Sequence, residues 1–283
     1  MRKVAVVIDS TTCLTPSDYP GLHIYTVPLS VNFEGKSYLD GIDITPSAFY
    51  KMLEVARTMP TTSQPSAESF NRILKKLIGE DFDVLVLTLS SKLSGTWDSA
   101  MLGVKGLPKG RVEIIDTLTA SLPEAMIALT VAEAARAGAS LLECKNLAER
   151  TAAHTRIYFA VDTLEYLHRG GRIGSAAKFI GSALGLKPIL TVRNGYVEAI
   201  ERVRTTRKAH ERLLELVEKE VGHKGRLPFL GITSANASEA AHNLLAAAHK
   251  RFRIERDIIN ELSPVIGVHT GPGTLGIVSI TDG

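Results

Sequence analysis

Apolar runs that end in small polar residues alternate with helical patterns through the first half of this 283-residue chain. The run "KVAVVID" (3–9) is almost continuously apolar up to Asp9, and "DVLVLTL" (83–89) repeats the plan before "SSKLSGT" (90–96). Such runs are typical of parallel strands buried on both faces, and ligands bind beyond the carboxyl ends of such strands. Strands that alternate with helices predict an α/β domain with a mainly parallel sheet.

The second half of the chain has strand-like runs of a different pattern. In "PILTVRNGYVEAI" (188–200), Asn194-Gly195 separates two alternating apolar segments, which predicts a two-residue β-hairpin. Long helical patterns at 205–221 and 238–251 lie between further strands. We therefore expect a mixed or antiparallel sheet covered by helices on one face.

The predicted fold class is α/β with two domains and a ligand site between them. Residues 1–155 are expected to form the N-terminal, mainly parallel α/β domain, and residues 156–283 the C-terminal, mixed-sheet two-layer domain. The boundary is placed near 150–156 by the change of pattern, because no proline-rich linker marks it.

Charge and hydropathy exclude several classes of protein. The 33 basic and 30 acidic residues leave a formal charge of +3, too little to indicate a nucleic-acid partner. No apolar run approaches the roughly 20 residues of a membrane span, and "MRKVAVVIDS" has too few apolar positions for a signal peptide, so we expect a cytoplasmic protein. Cys13 and Cys144 have no metal-ligand spacing and are expected to be reduced, buried thiols, with no metal site.

Four polar or glycine-rich turns carry the candidate ligand-binding side chains. They are Asp9-Ser10-Thr11-Thr12, "PTTSQPS" (60–66), "SSKLSGT" (90–96) and "GVHTGPGT" (267–274). Uncharged hydroxyl donors and one imidazole suit a carboxylate better than a triphosphate, which usually recruits Lys, Arg or a metal. Thr62, Ser94 and His269 are the candidates. The alternative is that the two hydroxyls only form caps or turns and that the histidine is structural.

The stretch "HRGGRIGSAAKFIGSALGLKPIL" (168–190) carries an apolar stripe at helical spacing after a flexible Gly170-Gly171 turn. The stripe comprises Ile173, Ala176, Ala177, Ile180, Ala183 and Leu184. It is expected to belong to the core or to one wall of a lipid tunnel, and periodicity does not separate the two.

Two enzymatic alternatives compete with a binding function. A serine hydrolase acting on acyl esters would use Ser94 as nucleophile, His269 as base and Asp9 as acid, but "KLSGT" lacks the G-x-S-x-G elbow. A nucleotide- or phosphosugar-binding enzyme would use the helix N-terminus after "SSKLSGT", but the chain has no G-x-x-x-x-G-K-[ST] loop.

Six ordered motifs across both halves resemble those of the DegV family. They are "VIDSTTCL", "TTSQPSAESF", "SSKLSGTWDSA", "TLEYLHRGGRIGSAAKFIGSALGLKPIL", "VRTTRKA" and "GVHTGPGTLGIV". The family comprises bacterial fatty-acid-binding proteins that resemble the binding subunit of a two-component fatty acid kinase. The resemblance implies two α/β domains that hold one long-chain fatty acid between them. It also implies a non-catalytic, lipid-binding subunit with an ATP-dependent kinase partner and no cofactor other than the bound acid.

The resemblance also implies roles for individual residues. It puts the fatty acid carboxylate on Thr62, Ser94-Gly95 and His269, and it puts Arg172 and Arg204 on the surface that docks the kinase subunit. Without the resemblance, these arginines would be interpreted as solubilising surface residues. The segment "DTLTASLPEAMI" (116–127) departs from the family pattern, so no preference for acyl chain length is implied.

Overall fold

The computed structural model describes residues 2–181 and 185–281, and its N-terminal part is built on a parallel sheet. The strands of this part are β1 (Val4–Asp9), β2 (Ile24–Val27), β3 (Ser30–Phe33), β4 (Lys36–Leu39), β5 (Thr61–Ser63), β6 (Asp83–Thr88) and β7 (Val112–Asp116). The sheet has the order β2-β1-β6-β7, and all its neighbours are parallel. Strands β4-β3-β5 form a separate antiparallel sheet that the sequence did not predict.

The sequence predicts two helix starts in this part, with Thr45 and Ser66 as N-caps. The helices of this part are α1 (Pro46–Glu54), α2 (Ala67–Gly79), α3 (Thr96–Gly103), α4 (Leu122–Arg136) and α5 (Leu141–Ala153). The Thr45 hydroxyl accepts a hydrogen bond from the Ala48 amide, and the Ser66 hydroxyl accepts one from the Ser69 amide. Each of these caps satisfies a first-turn N–H group that has no partner within the helix.

The C-terminal part is built on a mixed sheet, as predicted. Its strands are β8 (Thr155–Ala160), β9 (Lys187–Arg193), β10 (Tyr196–Val203), β11 (Arg226–Leu227), β12 (Phe229–Ser234), β13 (Arg253–Ile254), β14 (Asp257–Glu261) and β15 (Leu275–Ile280). The sheet order is β10-β9-β8-β15-β12-β14, antiparallel except for the parallel β12–β14 pair. Asn194 and Gly195 both have positive φ angles, so the predicted β9–β10 hairpin is confirmed.

Helices cover both faces of this mixed sheet. The helices of this part are α6 (Glu165–Arg169), α7 (Thr206–Val221), α8 (Ser238–Arg251) and α9 (Pro264–Thr270). Helices α7 and α8 pack on the predicted covered face, against side chains such as Tyr158 and Ile277. The alternate residues of the same strands, such as Phe159 and Val278, share one core with α4.

Helix α4 joins the two sheets. It contacts β1 and β6 on one side and β8, β12 and β15 on the other. Its residues from Leu122 to Leu129 are all buried, which is expected of a helix packed between two sheets, and apart from Glu124 they are apolar. The fold class is therefore confirmed as a parallel-sheet α/β part joined to a mixed-sheet part, and the division at residue 155 stays a prediction.

The prediction of a helix that carries the apolar stripe within 168–190 is wrong for the described part of that stretch. Helix α6 ends at Arg169, and a 3₁₀ turn follows at Gly174–Phe179. Gly174 and Gly181 have positive φ angles, which an α-helix does not contain, so the chain turns twice where the periodicity suggested one helix. Ile180 is 48% exposed, whereas Ala176 is buried in the core and Ile173 packs against it, as expected for these two residues. Ala183 and Leu184 lie outside the described residues.

The predicted glycine-rich loop around His269 is also different. His269 lies in the last turn of α9, whose Ser263 cap and Pro264 repeat the Thr45-Pro46 start of α1. Gly271, with a φ of 77°, ends the helix. Helix α9 packs with α1 and the β4-β3-β5 sheet around a small core of its own, which we call the upper layer. Its core residues include Leu29, Val31, Phe33, Phe49, Tyr50 and Val265.

Candidate functional site

A largely apolar cavity of ≈ 380 Å³, here called the main cavity, lies where the parallel sheet, the mixed sheet and the upper layer meet. The apolar lining residues include Leu29, Leu89, Phe159, Val197, Leu262 and Val265. Each of the three parts contributes some of them. A pocket of this size and composition is typical of small-molecule sites, which are mostly apolar with a few oriented polar groups.

Three of the four polar turns predicted from the sequence reach this cavity. Strand β5 brings Thr62, the turn after β6 brings Ser94, and α9 brings His269. Thr62 Oγ1 lies 2.9 Å from His269 Nε2, although 207 positions separate the two residues. Gly95 is the N-cap of α3 beside Ser94, and a side chain there would collide with Gln64.

The His269 ring is neutral near neutral pH. Burial, and secondly the charge of Arg172, lower the pKa of His269 to about 4. A neutral ring carries one N–H group, and a buried N–H without a partner is costlier than a buried acceptor without one. His269 Nδ1 is buried and has no hydrogen-bond partner among the described residues, so the hydrogen belongs on Nε2. The ring then donates to Thr62 Oγ1, and the Thr62 hydroxyl hydrogen is free to bind an external acceptor.

Ser94 and Gln64 also line the main cavity, and with Thr62 and His269 they make up what we call its polar end. Ser94 Oγ lies 2.9 Å from Thr96 Oγ1 and accepts a hydrogen bond from the Thr96 amide in the first turn of α3. Gln64 Nε2 donates to Ser99 Oγ at 3.1 Å, which holds the Gln64 side chain over Gly95. These groups are uncharged donors with an anion-favouring helix N-terminus beside them.

The structure puts the two predicted docking arginines in different places. Arg172 is half-buried and lines the main cavity, where its Nε donates to the Leu93 carbonyl at 3.0 Å and its Nη1 to the Gly170 carbonyl at 2.6 Å. Arg204 is exposed in the connection between β10 and α7. A docking role for either residue stays a prediction.

The Asp9–Thr12 turn lies on the predicted sheet edge but does not line the main cavity. Asp9 is fully buried, and its carboxylate accepts hydrogen bonds from the Thr11 amide, the Thr11 hydroxyl and the Leu89 amide. Ser10 Oγ accepts from the Leu29 amide and so fixes one wall residue of the main cavity. This turn therefore supports the site without entering it.

The geometry does not favour the hydrolase alternative. A catalytic triad needs a serine–histidine hydrogen bond and a carboxylate on the other ring nitrogen. His269 Nε2 bonds to Thr62 rather than to Ser94, and Asp9 is held by Thr11 and Leu89. Among the described residues, His269 Nδ1 has no partner at all.

Several polar residues of the main cavity were not predicted from the sequence, among them Gln64, Ser121 and Thr233. Gln64 lies in the polar turn "PTTSQPS" (60–66), but Thr62 is the residue of that turn that was predicted to bind the ligand. Ser121 and Thr233 place hydroxyls in the cavity wall, and neither Oγ has a hydrogen-bond partner among the described residues. No local sequence signal distinguishes these hydroxyls from ordinary buried ones.

Replacing Gly170 by alanine is expected to displace His269. A Cβ atom at Gly170 would lie 2.2 Å from His269 Nδ1, whereas the backbone (φ −75°, ψ −8°) suits alanine. We expect the variant to lose about 1–2 kcal/mol of unfolding free energy, because the Thr62–His269 hydrogen bond breaks. In a His269→Ala background the same change should cost nothing or stabilise slightly, since a glycine is lost from the unfolded chain.

Chemical denaturation of the unchanged protein, Gly170→Ala, His269→Ala and the double variant gives their unfolding free energies. The comparison shows how far the cost of Gly170→Ala depends on the imidazole. Gly79→Ala at the end of α2, where a Cβ meets no atom within 4 Å, is the matched control and should be neutral or mildly stabilising. An equal cost of Gly170→Ala with and without the imidazole would contradict the positioning role.

Residues 2–181 and 185–281 contain neither a membrane-spanning helix nor a metal-binding cluster. No helix there combines the length and apolar character needed to cross a membrane. No cluster of three or more His, Cys, Asp or Glu side chains in these ranges could hold a metal ion.

Comparison with known proteins connects this site to a family. The family model described as "Uncharacterised protein, DegV family" matches residues 3–282. A DegV domain-containing protein of Streptomyces coelicolor is 37% identical over 279 residues, which cover 98% of each chain.

Solved structures give the same result. A DegV family protein from Thermus thermophilus, whose structure is described as showing fatty acid binding, is 39% identical with a TM-score of 0.92, and each chain is covered completely. A Thermotoga maritima protein, whose structure is described as revealing a fatty acid binding function, is 33% identical with a TM-score of 0.87, covering 99% of this chain and 100% of the other. The chain therefore belongs to the DegV family.

Proposed function

We propose that this protein binds a long-chain fatty acid, with the carboxylate at the polar end of the main cavity and the acyl chain inside it. The observation that carries the proposal is that Thr62, Ser94 and His269, from three distant segments, all line one largely apolar cavity, with Thr62 and His269 hydrogen-bonded to each other. The fatty acid binding described for the Thermus and Thermotoga relatives supports it.

The cavity suits the two ends of such a ligand. Thr62 and Ser94 supply hydroxyl hydrogens for the carboxylate, and Arg172 supplies the positive charge that sequence reasoning had placed on an outer surface. Each methylene that leaves water for the apolar wall contributes about 0.8 kcal/mol, so the chain supplies most of the affinity. A neutral His269 holds Thr62 without adding a second buried charge.

We further propose that the protein presents the bound acid to an ATP-dependent kinase partner. The partner would transfer the γ-phosphoryl group of ATP to a carboxylate oxygen: the bond to ADP breaks, the bond to the carboxylate forms, and an acyl phosphate results. This protein would hold the acid in place, and Arg204, which is exposed, would belong to the docking surface. The support is the family resemblance of "VRTTRKA" and the accessible position of this arginine.

The proposed function is tested by lipid recovery and by a site variant. We expect mass spectrometry of gently purified protein to recover a fatty acid. Delipidated Ser94→Ala protein should bind an added fatty acid at least about tenfold more weakly than the unchanged protein, because a hydrogen bond to a charged group is worth at least about 1.5 kcal/mol.

Ser91→Ala is the matched control, because Ser91 lies in the same turn and is not among the residues that line the main cavity. It should bind the acid as the unchanged protein does. Absence of recovered lipid together with absence of binding by added acids would refute the proposed function.

A further inference from the structure

A second cavity of ≈ 550 Å³, open to solvent beside exposed residues such as Arg156 and Arg193, adjoins the main cavity. It lies among residues 115–119 at the end of β7 and just after it, the end of α5, the start of β8 and the end of β9. Ile157 and Val192 line both cavities, and we call this pair the partition; Ile157 lies in the core shared with α4, and Val192 packs against it.

The pairing of β8 with β9 places the two partition residues next to each other. The antiparallel β8–β9 pair aligns Tyr158 with Thr191, and the same register places Ile157 opposite Val192 at the end of the ladder. The Thr191 hydroxyl donates to the Ile157 carbonyl at 2.7 Å, which ties the two strand ends together. Ile157 is buried and Val192 is half-buried.

The main cavity is of limited length for an acyl chain. Benzene fills an apolar cavity of about 150 Å³, which corresponds to about 25 Å³ for each carbon atom. At that density, ≈ 380 Å³ holds roughly 15 carbons. Longer chains would reach the end of the cavity.

The second cavity offers room but a different environment. Charged and hydroxyl-bearing residues line much of it, among them Asp116, Arg156, Tyr158, Thr191 and Arg193. Ile115, Leu118 and Ala152 supply an apolar side. Beyond the partition there is therefore space for further methylenes, and part of that space is apolar.

We infer that Ile157 and Val192 block the end of the main cavity and so set the maximum length of the bound acyl chain. The same two residues keep the acyl chain out of the second cavity. This inference rests on the proposed function. It makes the partition, rather than the carboxylate site, the determinant of chain-length preference.

The test measures affinity as a function of chain length. Delipidated protein is titrated with saturated fatty acids of about 10 to about 20 carbons in competition with a fluorescent fatty acid, and affinity should rise about fourfold for each added methylene until the main cavity is full. In the unchanged protein we expect the rise to stop near about 15 carbons. In Val192→Ala the rise should continue for at least two further carbons, with each again worth about fourfold.

Val197→Ala is the matched control. It removes the same two methyl groups from a wall of the main cavity that does not border the second one. It should weaken all acids similarly and leave the length limit unchanged. Ile157→Val, which removes a single methyl group, provides a second and milder opening of the partition, and thermal unfolding without lipid shows that each variant folds.

The outcomes separate this inference from the proposed function. Binding with the same length limit in Val192→Ala and Ile157→Val as in the unchanged protein would overturn the inference alone. A limit that moves equally in Val197→Ala would also overturn it. Failure of every acid to bind the unchanged protein would overturn the proposed function and, with it, the partition.

Discussion

Arg172→Gln is expected to bind a long-chain fatty acid about tenfold to a hundredfold more weakly than the unchanged protein, because a hydrogen bond to a charged group is worth about 1.5–3 kcal/mol. Among the described residues that line the main cavity, Arg172 is the only one that is charged at neutral pH. The Leu93 and Gly170 carbonyls hold its guanidinium in place, so little rotamer entropy is lost when an anion binds. Glutamine keeps a planar donor but loses the charge.

Competition titration measures the affinity, and thermal unfolding without lipid checks the fold. Arg204→Glu is the contrasting variant. Because Arg204 is exposed, we expect this charge reversal to leave fatty acid affinity unchanged while kinase-dependent acyl phosphate formation falls by more than about tenfold. If Arg172→Gln kept full affinity and lost only the coupled reaction, Arg172 would belong to the docking surface, as the family resemblance alone implied.

The elements predicted correctly from the sequence are those with a local physical cause. Continuous apolar runs identified β1 and β6, and Asn194-Gly195 identified the hairpin because both positions need positive φ angles. Thr45 and Ser66 identified two helix starts because their hydroxyls replace missing backbone partners.

The errors arose where two local signals competed, and contacts between distant segments could not be predicted. In 168–190, apolar spacing favoured a helix, but Gly174 and Gly181 take left-handed conformations that end it. Around His269 the glycines suggested a loop, while the Ser263-Pro264 helix start just upstream received no weight. The inward position of Arg172 depends on the Leu93 and Gly170 carbonyls, and no sequence pattern brings Leu93 beside Arg172.

A buried carboxyl pair makes the stability of this protein depend on pH. Asp9 at the end of β1 and Glu124 in the first turn of α4 are both fully buried, and burial raises the pKa of each. Three hydrogen-bond donors oppose this rise for Asp9. Neither carboxyl oxygen of Glu124 has a hydrogen-bond partner among the described residues, and the nearby Asp9 charge adds to the burial effect. Glu124 is therefore the member that keeps its proton in the folded protein.

This arrangement fixes the direction of the pH dependence. The folded state retains the Glu124 proton at pH values where the unfolded chain, with an ordinary pKa of 4.5, has lost it. Between that value and the raised pKa, the folded state binds more protons, so the unfolding free energy falls as pH rises. One such proton contributes a slope of about 1.4 kcal/mol per pH unit. Asp9, whose pKa burial raises, and Asp40, whose pKa burial raises to about 7, act in the same direction.

Glu124→Gln is expected to remove the largest part of this slope. Glutamine has nearly the same shape and is neutral at every pH, so it resembles the protonated carboxyl that the fold accommodates. Above pH 4.5, urea denaturation at a series of pH values should show a slope reduced by up to about 1.4 kcal/mol per pH unit, with the variant more stable at the alkaline end. Glu133→Gln, which changes a partly exposed carboxylate on the same helix, should keep the original slope. Identical slopes in Glu124→Gln and the unchanged protein would mean that Glu124 is ionised in the fold, a charge that burial without any described partner makes very costly.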